Sequence, residues 1–127
     1  MSKIEYDKYF VDTSAWLEYF LSAKSEIVAI IDSSQTKLFT SVISLYEVKK
    51  KLLKLKFAEN EIEEAIFFIK LNSSVILIDT EIALKAASSH LAAIDSLIYQ
   101  STIITNSKLI TCDNDFQNLS NVIIIQK

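Results

Sequence analysis

The sequence has no glycine and no proline among its 127 residues, although these residues average about 7% and 5% of proteins. Without glycine the chain cannot form the glycine-rich loops that cradle phosphates, so P-loop and dinucleotide-binding proteins are excluded. We expect the turns to be made by Asn, Asp, Ser or Thr instead.

Disulfides and long hydrophobic runs are also missing. The single cysteine, Cys112, cannot form an internal disulfide, and its apolar surroundings predict a small hydrophobic role. No apolar run approaches the roughly 18 residues of a membrane span, and the first ten residues lack the regions of a signal peptide. These features predict a soluble, cytoplasmic protein with one globular domain over residues 1–127.

Positive charge is limited and unevenly placed. The net charge is −3, which gives no overall basic footprint for nucleic acid. All 13 basic residues are lysines, and five of them fall between residues 49 and 56. Such a run is most often a solvated helix face, but beside an acidic site it can hold RNA phosphates.

Short β-branched runs alternate with amphipathic helical patterns, which predicts βα units around a parallel sheet. The predicted strands are residues 8–12, 37–41, 74–78, 108–112 and 122–126. The predicted helices are residues 14–22, 25–33, 44–56 and 60–71, followed by two helices within 80–104 that break near "SSH".

Finer features of these helices can also be predicted. The third helix has an apolar stripe at helical spacing, formed by Leu45, Val48, Leu52 and Leu55. The fourth helix is expected to begin at Asn60 as its N-cap, with Glu63 three residues on.

Acidic side chains follow two of the predicted strands. Asp12 ends the first strand, and Asp113 and Asp115 follow the fourth. In open parallel sheets, ligands bind beyond the carboxyl ends of the strands, where the order of connection reverses. If the first and fourth strands are neighbours at that point, these carboxylates meet.

Two further acids are candidates for the same site. Glu47 is expected in the first turn of its helix, and Asp95 interrupts an apolar helical face. Two carboxylates 4 Å apart repel by about 4 kcal/mol at an effective dielectric of 20, so a cluster of four needs a proton or a cation. Oxygen ligands without histidine or thiolate favour Mg²⁺ or Mn²⁺, and such a site suits phosphodiester hydrolysis.

Four segments resemble those of PIN-domain ribonucleases in order and spacing, and most closely the VapC-type toxins of VapBC systems. The segments are "YFVDTSAWLEYF", "SVISLYEVKKKLL", "IDSLIYQSTI" and "KLITCDNDFQNL". The resemblance implies a three-layer α/β/α fold with a five-stranded, mainly parallel sheet. It also implies a Mg²⁺ or Mn²⁺ cofactor, single-stranded RNA as substrate, and commonly a homodimer inhibited by a small antitoxin protein.

The resemblance also implies roles for particular residues. By position, the acidic quartet corresponds to Asp12, Glu47, Asp95 and Asp113, with Asp115 as an auxiliary fifth acid. Ser14 and Thr111 match hydroxyl positions that orient carboxylates or water. Family members usually carry glycine where "TNSK" stands here, and Asn106 is the expected substitute because Asn tolerates a left-handed conformation.

Each acid also has a structural interpretation. Glu47 can form a capping box with Ser44, Asp12 can cap the helix that follows it, and Asp115 can be a turn residue. Asp95 can be a first-turn acid favoured by the helix dipole.

Other functions and roles remain open at this stage. A phosphoacceptor module of the response-regulator receiver type would use Asp79 after the third strand and Lys127 after the fifth. A PIN fold without activity, or an RNA-processing nuclease that is not a toxin, is a further alternative. His90 is expected in a loop, and Trp16, Tyr19 and Phe20 in the core or at a dimer surface.

Overall fold

The computed structural model describes residues 5–127, which form one five-stranded sheet with helices on both faces. The strands are β1 (Asp7–Val11), β2 (Thr36–Ser41), β3 (Ser74–Ile76), β4 (Lys108–Thr111) and β5 (Val122–Ile124). They pair in the order β3-β2-β1-β4-β5, and every pair is parallel. The predicted α/β fold with a five-stranded sheet is confirmed, and the sheet is wholly rather than mainly parallel.

Six α-helices cover the two faces of the sheet. They are α1 (Thr13–Leu21), α2 (Ser25–Ile31), α3 (Val42–Lys54), α4 (Glu59–Asn72), α5 (Thr80–Ala86) and α6 (Ala93–Ile104), and a 3-10 helix spans Asn114–Phe116. Helices α1 to α4 pack on one face, α6 packs on the other, and α5 packs against α6. The break predicted near "SSH" separates α5 from α6, and His90 is exposed in that connection.

Two hydrophobic cores lie on opposite sides of the sheet because successive strand residues point to opposite faces. In β1, Val11 belongs to the core beneath α1 to α4, whereas Phe10 belongs to the core beneath α6. In β4, Ile110 and Leu109 divide in the same way. In β1 and β4, apolar residues therefore follow one another directly rather than alternating with polar ones, as expected for strands buried on both faces.

The edge strands are shorter than predicted. Strand β3 was expected over residues 74–78 but ends at Ile76, and β5 was expected over 122–126 but ends at Ile124. Each edge strand has one neighbour, and pairing stops where that neighbour ends: Ile76 pairs with Ser41 of β2, and Ile124 pairs with Thr111 of β4.

Two helix starts differ from the predictions. Helix α3 begins at Val42, and its N-cap is Ser41, whose hydroxyl accepts a hydrogen bond from the Ile43 N–H at 3.1 Å. The capping box of Ser44 with Glu47 is therefore wrong, and Glu47 lies in the second turn rather than the first.

The N-cap of helix α4 lies two residues before the predicted cap, Asn60. Its N-cap is Ala58, whose N–H donates to Glu61 Oε1 at 2.9 Å, so Glu61 rather than Glu63 closes the first turn. At the end of α3, Leu55 is the C-cap and 44% exposed, so the predicted apolar stripe ends at Leu52.

Several turns have a left-handed backbone at a position that glycine usually occupies in proteins, and other residues stand there in this chain. Asn106 has a φ of 53°, as predicted, and Asn118 and Asn121 also have positive φ. The prediction that Asn, Asp, Ser or Thr make every turn is wrong at Ala23 and Lys56, whose φ values are 48° and 68°. Each of these residues directly follows the C-cap of a helix, a position at which helices commonly end in a left-handed conformation.

Aromatic side chains fix α1 on the core. Trp16 is fully buried, stacks on Phe20 with ring centroids 6.2 Å apart, and donates to Thr40 Oγ1 at 3.0 Å. Cys112 follows β4 and packs against the same core, where burial raises the pKa of its thiol. None of the helices within residues 5–127 has the length and apolarity that a membrane crossing needs.

Candidate metal centre

The predicted site residues gather at the carboxyl edge of the sheet, where β1 and β4 lie side by side. Val11 of β1 pairs with Ile110 of β4, so the residues that follow them, Asp12 and Thr111, also lie side by side. The chain runs from β1 to β2 on one side and places β4 on the other, so the order of connection reverses between β1 and β4. The first and fourth strands are therefore neighbours, which is the condition under which the sequence predicts that their carboxylates meet.

Asp12 is the most buried acid of the group, with only 5% of its surface exposed. It occupies the N-cap position of α1, yet its side chain makes no capping hydrogen bond. Its Oδ2 accepts from Thr111 Oγ1 at 2.7 Å and from Ser14 Oγ at 3.1 Å. Burial raises the pKa of Asp12, and these hydroxyl donors oppose the rise because they stabilise the ionised form.

The same two hydroxyls hold the turn after β4. Ser14 Oγ accepts from the Cys112 N–H at 2.9 Å, and Thr111 Oγ1 accepts from the Asp113 N–H at 3.0 Å. Each hydroxyl thus links Asp12 to the backbone that carries Asp113. The hydroxyls assigned by resemblance therefore couple β1 to the turn after β4.

Three carboxylates converge in front of this turn. Asp113 caps the 3-10 helix by accepting from the Asp115 N–H at 2.9 Å, and Asp95 lies in the first turn of α6. One oxygen from each of Asp95, Asp113 and Asp115 lies within 4.8 Å of the other two. Asp113 and Asp95 are partly buried, while Asp115 is exposed.

The pKa of Asp95 is raised from 3.8 to about 6. Burial is the largest cause, and repulsion from nearby negative charge adds to it. The charges that act on Asp95 are, in falling order, those of Asp113, Asp12, Asp115 and Glu47. Three of the five predicted acids, Asp95, Asp113 and Asp115, therefore converge, while Asp12 and Glu47 contribute negative charge near them.

Glu47 reaches this site through a residue that the sequence analysis did not identify. Thr13 Oγ1 donates to Glu47 Oε1 at 2.7 Å and lies 3.0 Å from Ser44 Oγ. Ser44 is fully buried between α1 and α3. The only signal for Thr13 is its place between Asp12 and Ser14, because its partners lie more than 30 residues away along the chain.

The negative charge is not neutralised by lysine. Within residues 5–127 the one salt bridge joins Lys85 to Glu81 on α5. Helices α1, α3 and α6 all begin at this edge of the sheet, and the positive ends of their dipoles favour anions there. Helix ends contribute only partial charges, so the cluster still favours a bound cation.

The donor set fits a hard divalent cation. It consists of carboxylate oxygens without a histidine or thiolate, and these ligand atoms suit cations such as Mg²⁺, Mn²⁺ or Ca²⁺. Because one oxygen from each of the three carboxylates lies within 4.8 Å of the other two, the three side chains would together hold one such cation.

The receiver interpretation does not agree with the strand order. Receiver domains have the order 2-1-3-4-5, which places the third strand beside the first. Here β3 is an edge strand separated from β1 by β2, and Asp79 caps α5 by accepting from the Ile82 N–H at 2.9 Å. Asp79 is therefore outside the acidic cluster, and the phosphoacceptor prediction is wrong.

Comparison with known proteins identifies the family to which the chain belongs. The sequence profile described as "PIN domain" matches residues 9–122. No curated protein matches the chain by sequence.

Solved structures of similar fold include a toxin–antitoxin complex from Klebsiella pneumoniae, with a TM-score of 0.76 and 20% identity over 94% of this chain and 99% of that chain. VapC20 from Mycobacterium tuberculosis, described as a sarcin-ricin loop cleaving toxin, has a TM-score of 0.71 and 14% identity over 94% and 99%. VapBC-1 from nontypeable Haemophilus influenzae has a TM-score of 0.68 and 18% identity over 94% and 97%. At these identities the likeness establishes a shared fold.

Proposed function

Because this chain belongs to the PIN domain family, we propose that it is a metal-dependent endoribonuclease that hydrolyses phosphodiester bonds of single-stranded RNA. The observation that carries the proposal is the convergence of Asp95 from α6 with Asp113 and Asp115 from the turn after β4, while the charges of Asp12 and Glu47 also act on Asp95. A purely structural network would pair these acids with lysines, and the described residues offer no such pairs.

In this proposal the acids divide between holding the cation and shaping its surroundings. Asp95, Asp113 and Asp115 hold Mg²⁺ or Mn²⁺, and Asp12 and Glu47 add negative charge behind them. The bound cation would supply Lewis acidity to the phosphate and lower the pKa of a water molecule.

The hydroxyls act on the acids rather than on the substrate. Hydrogen bonds from Thr111 and Ser14 lower the pKa of Asp12 and so offset part of the rise that burial causes, and Thr13 sets the rotamer of Glu47. They are therefore positioning residues, whose loss weakens the site without removing a ligand.

A cleavage assay tests the proposal. The purified protein is incubated with a fluorescent single-stranded RNA and Mg²⁺ or Mn²⁺, and with EDTA in parallel. We expect cleavage only with the cation, and none by Asp95→Asn or Asp113→Asn. Asp79→Asn is the matched control, because Asn caps a helix as well as Asp does and Asp79 lies outside the cluster.

Two results would contradict the nuclease proposal. One is cleavage that persists in EDTA. The other is full activity of either site variant while circular dichroism shows that the variant is folded.

We also propose that the chain, acting as a single domain over residues 1–127 in the cytoplasm, is the toxin of a VapBC-type pair. The support is its fold likeness to structures described as toxins or toxin–antitoxin complexes. A small antitoxin has an apolar groove available between α1, α3 and α4, lined by Phe20, Leu52, Phe57 and Phe68, with Glu61 and Glu64 also lining it. These acids would suit a partner segment that carries basic residues.

Expression in a bacterial host tests the toxin role. Growth should stop after induction of the chain, and an adjacent small open reading frame should relieve the arrest when it is co-expressed. The Asp113→Asn variant should leave growth unchanged. Harmless expression of an active nuclease would instead assign the chain to RNA processing.

A homodimer is the third part of the proposal. Several large apolar side chains stay exposed in the described chain, which is a property of association surfaces; they include Phe67 at 65%, Leu71 at 71%, Leu77 at 69% and Leu84 at 68%. Light scattering coupled to size exclusion measures the mass directly. A dimer should appear near twice 14.4 kDa.

A further inference from the structure

Helix α3 carries an exposed tyrosine and unpaired lysines beside the acidic cluster. Tyr46 is 64% exposed, and the carboxylate of its neighbour Glu47 accepts a hydrogen bond from Thr13, which follows Asp12 in the chain. The Nζ of Lys50 lies 3.2 Å from the Tyr46 hydroxyl and 5.5 Å from the centre of its ring. The aromatic surface of Tyr46 is thus held beside a positive charge and open to solvent.

The lysines that follow share a face with Glu47. Lys50, Lys51 and Lys54 lie three, four and seven residues beyond Glu47, which is the spacing of one side of a helix. At 1.5 Å per residue they extend about 4.5 to 10.5 Å along the axis from Glu47. We call Lys50, Lys51 and Lys54 the basic face of α3.

No acidic side chain of the described chain pairs with these lysines, although Lys50 donates a hydrogen bond to Tyr46. All three are exposed, and none forms a salt bridge within the described chain. The next helix, α4, packs against α3 and has glutamates at 59, 61, 63 and 64, yet none of these comes within 4.0 Å of a lysine of α3. Positive charge is therefore left free next to a cluster that would repel RNA phosphates.

We propose that single-stranded RNA lies along this surface, with phosphates that flank the cleaved bond on the basic face of α3 and one base stacked on Tyr46. The inference rests on the proposed nuclease function and adds the path of the substrate. Lysines supply sequence-independent attraction to phosphates, and an exposed aromatic ring supplies stacking to any base. The two contributions have different dependence on salt, so they can be measured separately.

Binding is measured with the Asp113→Asn protein, which holds RNA without cleaving it under this scheme. A fluorescent single-stranded RNA oligonucleotide is titrated at several salt concentrations, and log Kd is plotted against log salt. Replacing all three lysines of the basic face by Ala should reduce the slope by about 2, since each phosphate contact on a single strand contributes about 0.7.

Lys49 provides the matched control. It belongs to the same lysine run, but its side chain lines a recess with Glu63 and Lys70 of α4, away from the basic face. Lys49→Ala should leave both the slope and the Kd within about twofold of the parent protein.

Tyr46 is tested in the same assay. Tyr46→Ala should weaken binding by about 5- to 100-fold with an unchanged slope, whereas Tyr46→Phe should retain most of the affinity because the ring remains. The proposal is overturned if the triple lysine variant keeps the parent slope, if Lys49→Ala has the same effect as that variant, or if Tyr46→Ala binds normally.

The two proposals fail in different ways. If the parent protein cleaves RNA and the variants of α3 bind and cleave normally, the nuclease function stands and the substrate path is wrong. If the parent protein does not cleave RNA but the lysine and tyrosine variants change binding as expected, the surface binds RNA and the nuclease function is wrong.

Discussion

Thr111 Oγ1, at the end of β4, donates a 2.7 Å hydrogen bond to Oδ2 of Asp12, which lies 99 residues earlier at the end of β1. Both residues are buried, with Thr111 fully covered. A buried carboxylate is costly unless it is hydrogen-bonded, so this contact lowers the cost of burying Asp12 at the end of β1.

Thr111→Val tests the network directly, because valine keeps the shape and removes the hydroxyl. Asp12 loses its shortest donor and the Asp113 N–H loses its acceptor. We expect the free energy of unfolding to fall by about 1–3 kcal/mol and Mn²⁺ affinity to fall about 10- to 100-fold. Urea unfolding and calorimetric titration measure the two effects.

Thr111→Ser is the control for this substitution, since it retains the donor. It should bind Mn²⁺ nearly as well as the parent protein. Equal affinities for the valine and serine variants would mean that the hydroxyl does not position Asp12.

Thr13→Val should weaken the site by releasing Glu47 rather than Asp12. Glu47 then loses the 2.7 Å hydrogen bond that fixes its rotamer, although the carboxylate itself remains. We expect cleavage to fall about 10-fold or more because a supporting contact is lost, with Thr13→Ser close to the parent rate. A Thr13→Val enzyme with the parent rate would remove Thr13 from the positioning network.

The cation-free protein should be more stable in mild acid than at neutral pH. The pKa of Asp95 rises from 3.8 to about 6 on folding, so the native state binds more protons than the unfolded state between these values. The free energy of unfolding therefore decreases as pH rises through that window. We expect the Tm in EDTA to be higher at pH 5 than at pH 7.5.

Asp95→Asn should remove much of that pH dependence and raise the Tm at pH 7.5. The gain is about 1 kcal/mol, or about 4 °C, because Asp95 is only partly buried and solvent screens the repulsion. Differential scanning fluorimetry with Asp79→Asn as the control gives the comparison. A Tm of the Asn variant below that of the parent protein at pH 7.5 would show that repulsion does not limit stability here.

Asn106 should be hard to replace by any residue except glycine. Its φ of 53° is left-handed, where a Cβ without a short polar side chain costs about 1 kcal/mol or more. Asn106→Ala should lower the urea midpoint with an unchanged m-value, while Asn106→Gly should stay near the parent. Equal midpoints for the Ala and Gly variants would contradict this account.

Much of the fold was predictable from local pattern. Apolar runs such as those holding Phe10 and Leu109 identify strands buried on both faces, and helical spacing identifies the faces of α1 and α3. Asp12, Asp95 and Asp113 were predicted as site residues because each is an acid that interrupts or ends an apolar element. The left-handed turn at Asn106 was also correct, since few other residues tolerate that backbone.

The errors at the strand ends come from contacts between distant parts of the chain. The ends of β3 and β5 depend on where β2 and β4 stop, which no local run of residues records. The start of α4 depends on Glu61 reaching Ala58, although Glu63 offers the same spacing from Asn60. Local signals allowed more than one register, and the packed structure selected one.

The order of amino acids alone specified the elements, the kind of ligand atoms and the absence of glycine-dependent sites, because these follow from periodicity and composition. Only the folded chain specified that β1 lies beside β4 and that Thr13 donates a hydrogen bond to Glu47. It also specified that the charges of four other acids raise the pKa of Asp95. Side-chain hydrogen bonds and charge repulsion act over a few ångströms in space. They depend on neighbours that can be 99 residues apart in the chain, as Thr111 and Asp12 are.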